Sequence, residues 1–256
     1  MAVLAGALLC QTPTLPESAV FNAASGSPSV AAGSLVAIFG SELASSVQLA
    51  ASATWPTVLA DVSVTFNGVL AALYYVSAGQ INSQMPWNTL AAGVASGTAS
   101  VVVRRGAASS QPRTVQVAAF SPAIFTATGS GAGQAIAINL DGTLAAPEGS
   151  IPGLNTHPVE RGGAVVILCN GLGSVNPPAQ TGSNSLDTLR RTTTMPRVLV
   201  GARPADIFFS GLSPEFPGVN QLNVAIPADA PVGSAVPLQI EIGGITTSAL
   251  VTIAVR

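Results

Sequence analysis

The stretch Gln80-Ile81-Asn82-Ser83-Gln84-Met85-Pro86 returns, altered but legible, as Gln221-Leu222-Asn223-Val224-Ala225-Ile226-Pro227. Around the first copy stand an apolar run over 33–40, the alternating Val62–Phe66, the dipeptide Asn67-Gly68, then Ala72–Val76 and 99–103. Around the second stand 163–171, Arg197–Val200, 205–209 and 236–242. Equivalent pieces follow in the same order, which predicts a duplicated all-β module. A period of two places Gln80, Asn82 and Gln84 on one face of their strand and Ile81, Ser83 and Met85 on the other. The repeat keeps the first two amides as Gln221 and Asn223, with Leu222, Val224 and Ile226 opposite. Pro86 and Pro227 close the strands, since proline cannot donate to a ladder.

Working outward, Asn67-Gly68 is the preferred two-residue type I′ hairpin dipeptide, and 71–76 is expected to return as the partner strand of Val62–Phe66. The Ala- and Ser-rich 41–54 can hold a helical turn. Gly129 to Gly133 resembles a phosphate loop, but the segment after it reads as a strand, and no helix N-terminus follows to hold an anion. Asp141-Gly142 reads as a hairpin turn. The Pro- and Gly-bearing stretches 145–162 and 174–195 are long loops, of a length more often functional or flexible than core.

At 256 residues the chain has room for two ordinary domains, and the repeat divides it. Residues 1–18 form an apolar segment and connector, 19–120 a first β-sandwich and 121–256 a second, each of a size that suits an immunoglobulin-like sandwich. Charged residues are 8%, the nine basic residues are all Arg, and the net charge is -2. Nucleic acid or an anionic membrane would call for a clustered basic surface, so neither is an expected partner. Mean hydropathy is +0.53, yet no apolar run approaches the roughly 18 residues of a spanning helix. Aromatic residues at 5% are too few for the girdles of a transmembrane barrel.

Residues 1–10 have three readings: the apolar core of a signal peptide without its basic start, a lipidated start at Cys10, or an uncleaved apolar strand. In the third, donation of the strand to a sandwich of the next subunit propagates into a filament. Cys10 and Cys169 are expected either to form a disulfide in an oxidising compartment or to be two buried thiols. No catalytic, cofactor or metal residue is expected. The single histidine, His157, lies in a loop; there is no nucleophile elbow, and the eleven acids are scattered. Gln80, Asn82, Gln221 and Asn223 are read as a structural clamp, mostly buried and bonded to the main chain of a neighbouring loop. Trp55 and Trp87 either pack on the sandwich rim or supply a carbohydrate platform.

A family resemblance rests on 20–25 (Val-Phe-Asn-Ala-Ala-Ser), Ala32-Gly33-Ser34 through Ile38-Phe39-Gly40, Leu73-Tyr74-Tyr75-Val76-Ser77 and Gln80-Ile81-Asn82 with Pro86. It continues through Pro122-Ala123-Ile124-Phe125, Asn170-Gly171-Leu172-Gly173 and Gly211-Leu212-Ser213-Pro214 with Gln221-Leu222-Asn223. These closely resemble an uncharacterised paralogous domain that ends many secreted proteins of soil bacteria and is similar to the IPT/TIG immunoglobulin-like modules. The resemblance covers nearly everything after about Ser18. It implies two immunoglobulin-like (IPT/TIG-like) sandwiches in an exported protein with no known catalytic role. The family usually sits behind large propeller or repeat regions; so little precedes the domain here that the pair is expected to be the working unit itself.

The resulting expectation is an exported, extracellular or cell-surface, non-enzymatic structural or adhesive protein, with copies of itself or other surface proteins as partners. The alternative is a cell-surface carbohydrate-binding module.

Overall fold

The computed structural model describes residues 12–248 and 250–256. All of its named elements are strands, arranged in four sheets. In the first sandwich one sheet runs Val20–Asn22, Leu35–Phe39, Gln80–Gln84, Ala72–Val76, Gln48–Leu49; the other runs Ser29–Ala31, Arg113–Ala118, Gly97–Arg105, Val62–Phe66, Val69–Leu70. The second repeats the plan. Ala123–Ile124, Ala164–Asn170, Asn220–Ala225 and Ile207–Leu212 head one sheet, while Gly133–Gln134, Val251–Val255, Gly233–Ile242 and Arg197–Val200 make the other. In each sandwich an early short strand runs parallel to the last long one, Ser29–Ala31 beside Arg113–Ala118 and Gly133–Gln134 beside Val251–Val255. The fold is two immunoglobulin-like sandwiches in tandem.

Each sandwich has its own core. Val36, Ile38, Phe66, Leu73, Ile81 and Met85 fill the first; Ile167, Leu172, Leu222, Val224, Ile226 and Leu238 fill the second. The alternation read in the sequence is what turns these side chains inward. Leu15, from the segment expected to be a connector, is also buried in the first core, and Thr14 pairs with Ser41.

The duplication extends to register. Asn82 lies between Ala37 and Tyr75, and Asn223 between Val166 and Phe209. Both copies carry a bulge at the same place, between Leu73 and Tyr75 and between Ile207 and Phe209. A bulge leaves one residue unpaired and bends its strand. The residue so placed is aromatic and exposed in both, Tyr74 and Phe208.

Two local expectations change. Asn67 and Gly68 do take positive φ (50° and 79°), as a type I′ turn requires. The returning strand, however, is only Val69–Leu70, and Ala72–Val76 crosses into the opposite sheet. Ala72, Leu73 and Val76 are buried there, and the bulge at Tyr74 takes the strand out of strict alternation, so a period of two does not assign it to a sheet. In place of a helical turn, 41–54 is an irregular, bent segment that adds the edge pair Gln48–Leu49. The turn at Asp141-Gly142 is present: Asn139 N–H donates to the Thr143 carbonyl (2.7 Å), and the Asp141 carboxylate accepts the Thr143 N–H (3.0 Å).

His157 pins the loop that follows this turn. Its Nε2 lies 2.8 Å from Asp141 Oδ2 and its Nδ1 2.8 Å from the Pro158 carbonyl. Both partners are acceptors, so only the doubly protonated ring satisfies both. The Asp141 bond, then the Pro158 carbonyl, hold the imidazole above its ordinary range against the opposing charge of Arg256, itself paired with Glu160. His157 and Thr143 hold the Asp141 carboxyl far below its own range. A raised histidine stabilises fully below its unfolded value of about 6.5 and loses that contribution as pH rises through the folded value. A lowered Asp stabilises above about 3.9 and loses it as pH falls through its folded value. The His157 ring should therefore titrate above about 6.5 by NMR, fall back in Asp141→Asn, and release protection of the Thr143 amide as it deprotonates. Titration at or below the free value in the unaltered chain would contradict the pairing.

Candidate functional site

The most heavily built polar region is the seam where strand ends of the two sandwiches meet. Asn170 ends the Ala164–Asn170 strand and is fully buried. Its Oδ1 accepts the Leu35 N–H (2.9 Å), and its Nδ2 donates to the Leu35 carbonyl (2.8 Å) and to Asn22 Oδ1 (2.9 Å). The carboxamide stands in for the peptide of a neighbouring strand. Asn22, also buried, donates to the Ser121 carbonyl (2.8 Å), and Ser121 Oγ donates to the Ser29 carbonyl (2.8 Å). Buried amides are costly unless paired, and here each member pairs across the seam.

A strap from the second sandwich completes the contact. The buried Gln84 donates to the Gly33 carbonyl (3.0 Å) and accepts the Gly182 N–H (2.6 Å). The Gly182 carbonyl accepts the Trp55 N–H (2.9 Å), and Thr181 Oγ1 accepts the Trp87 N–H (3.2 Å). Gly182 has φ +83°, and a Cβ there would lie 2.7 Å from the Trp55 carbonyl oxygen and 2.9 Å from the Ala72 Cβ. Only glycine fits.

The amides expected to clamp main chain do something else. Gln80 and Gln221 are half-buried on the outer face and donate to Asn82 Oδ1 (2.7 Å) and Asn223 Oδ1 (2.8 Å). Alternate residues of a strand share a face and lie within reach of each other, so each pair closes on itself and not on a loop. The main-chain clamp is Gln84, the one amide the repeat does not keep: Ala225 occupies its place in the second sandwich, pairing with Ala164 as Gln84 pairs with Leu35.

Trp55 and Trp87 flank the strap but line different cavities. Trp55 is buried and packs on Tyr74, ring centroids 4.9 Å apart at 33°. With Tyr74, Leu35, Asn82 and Phe125 it lines a notch of about 170 Å³. Trp87 borders a cleft of about 400 Å³ with Leu90, Phe120 and Ser174, and its Nε1 is buried without an acceptor. Cys169 is fully buried in the second core, which pushes its thiol far up; Cys10 and the 1–9 segment lie outside the described residues. Among the described residues no group of three or more His, Cys, Asp and Glu is placed to hold a metal ion. No helix among them is long and apolar enough to cross a membrane.

Seam and outer face should respond differently to substitution. Gln84→Leu strands the Gly33 carbonyl and the Gly182 N–H, a loss on the order of 2 kcal/mol or more. Gln80→Leu uncovers only a half-exposed Asn82 oxygen and should stay within about 1 kcal/mol. Urea unfolding of the two variants checks this, and equal losses would refute the assignment.

No protein-family model matches the chain, and neither does any curated protein. Among solved structures it is similar to the plexin A4 full extracellular region, with 15% identity and TM-score 0.29 over 98% of this chain and 19% of that one. It is similar to the surface glycan-binding protein PbSGBP-B from Prevotella bryantii, with 12% identity and TM-score 0.28 over 93% of this chain and 41% of that one. A third is the S-layer protein SbsC, domains 5-6, with 13% identity and TM-score 0.29 over 95% of this chain and 98% of that one. The chain thus spans well under two thirds of the first two.

Proposed function

We propose that this chain is an exported, non-enzymatic structural or adhesive unit whose two sandwiches act as one stiff body at the cell surface. The observation that supports this reading is the Asn170–Leu35 pairing, backed by Asn22, Ser121 and the Gly182 strap. Neighbouring domains move relative to each other by default. A seam whose buried amides lose their partners when it opens resists that motion, which suits a spacer or adhesive and not a hinge-closing site. The resemblance to a domain of secreted proteins supports export, and the low charge leaves little repulsion between packed copies. In this reading the apolar 1–9 segment serves assembly, pairing with a sandwich of the next copy.

A second reading, cell-surface carbohydrate binding, is favoured by the Trp55–Tyr74 pair beside Asn82.

Small-angle scattering of the full chain should fit a single inter-sandwich orientation, and Asn170→Ala combined with Gly182→Ala should broaden it to an ensemble. Electron microscopy should show assemblies that disappear when residues 2–12 are deleted. A freely hinging wild-type protein would overturn the stiff-unit reading, and assemblies unchanged by the deletion would overturn strand donation.

A further inference from the structure

We propose that the notch between Trp55, Tyr74 and Phe125 is a binding site for one neutral pyranose ring; this deepens the carbohydrate reading and is independent of the stiff-unit reading. The notch forms only because the chain is folded as a pair. Trp55, Tyr74, Leu35 and Asn82 come from the first sandwich and Phe125 from the second.

Three features set the ligand. No Asp, Glu, Arg or His lines the notch, so nothing there neutralises a charged ligand. The bulge turns Tyr74 outward, 40% exposed, while Trp55 packs against it and holds the ring in place. An aromatic surface fixed in this way suits the C–H face of a sugar. Asn82 supplies a polar contact beside Ser83, which also lines the notch and whose buried Oγ has no partner among the described residues. Asn82 Oδ1 is occupied by Gln80 Nε2 at 2.7 Å, which turns Nδ2 to the other side of the carboxamide, where it makes no hydrogen bond among the described residues. That donor suits a ring hydroxyl or the ring oxygen. Gln80 is thereby a positioning residue.

The alternative occupant, an extended peptide, needs main-chain donors and acceptors to pair with. Here the Gln80–Gln84 strand is flanked on both sides, by Leu35–Phe39 and Ala72–Val76, so the notch reads its ligand through side chains. Its volume of about 170 Å³ holds one six-membered ring. The second sandwich provides an internal control. It repeats the amide pair as Gln221–Asn223 and the bulged aromatic as Phe208, but 63% of Phe208 is exposed and no aromatic ring packs against it among the described residues.

The test is a titration of Trp55 fluorescence in the Trp87→Phe background, with far-UV circular dichroism on every variant. The probes are methyl β-glucopyranoside, methyl α-mannopyranoside and methyl β-N-acetylglucosaminide, each to about 50 mM, since a single ring with few polar anchors binds in the millimolar range. At least one should give a saturable change that weakens about tenfold or more in Tyr74→Ala and in Asn82→Ala and is unchanged in Phe208→Ala. Gln80→Ala should weaken it while Gln80→Glu, which cannot donate to Asn82, should not rescue it. Saturation-transfer NMR on the unaltered chain gives the same readout without substitution. No saturable signal with any of the three glycosides, or binding that survives Asn82→Ala, would each overturn the proposal. Each of these outcomes leaves the scattering test of the stiff unit untouched.

Discussion

The pairing of one buried carboxamide with one peptide group, Asn170 with Leu35, is the constraint on which the rest of the architecture depends. Two sandwiches in tandem need nothing more than a linker to coexist. A linker, however, leaves the ends of their strands open, and those ends carry peptide groups that must be hydrated or paired. Asn170 resolves this by presenting a donor and an acceptor in the geometry of a peptide, so the Leu35–Phe39 strand continues its ladder into the other sandwich. Asn22, Ser121, Gln84 and Gly182 then complete the pairing around it, and the notch and the cleft form on either side of the strap.

The second sandwich solves the same problem with its own residues. Asn139 pairs in register with Val165 as Asn22 does with Val36, and so occupies the equivalent place. Its bonds do not cross the seam. Instead Asn139 Nδ2 donates to Thr143 Oγ1 and to the His157 carbonyl, both from the long loop after Leu140. The loop thus closes on the strand end that Asn139 occupies. One atom marks the substitution as imperfect: Asn139 Oδ1 is buried without a partner, where Asn22 Oδ1 receives Asn170.

Much of this fold was legible because it is written twice. Alternation in Gln80–Gln84 and Asn220–Ala225, the Asn67-Gly68 turn and the order of segments are local signals, and local signals survive in sequence. The crossing of Ala72–Val76 to the other sheet was not legible, since its five residues are all apolar or aromatic and the bulge at Tyr74 breaks the period of two that would place them. The seam was hidden for a different reason. Asn170 meets Asn22 across 148 positions and Gln84 meets Gly182 across 98, distances over which no periodicity speaks. What signal there was lay in the breaks of the repeat: Gln84 where the other copy has Ala225, Asn170 where it has Ser41. What the copies share marks the strands, and where they differ marks the contact between them.

The strap at Gly182 also sets an order of events during synthesis. When the first hundred and twenty residues have emerged, their core can close, but the Gly33 carbonyl reaches Gln84 while the outer oxygen of Gln84 still waits for an N–H made 98 residues later. The Leu35 N–H waits 135 residues for Asn170, while the Leu35 carbonyl already accepts the Ala23 N–H (3.1 Å). Until then that end of the newborn sandwich presents the unpaired Leu35 N–H and Gln84 oxygen next to Trp55. Both partners lie at or before residue 182, so folding of the second sandwich is what closes that end of the first.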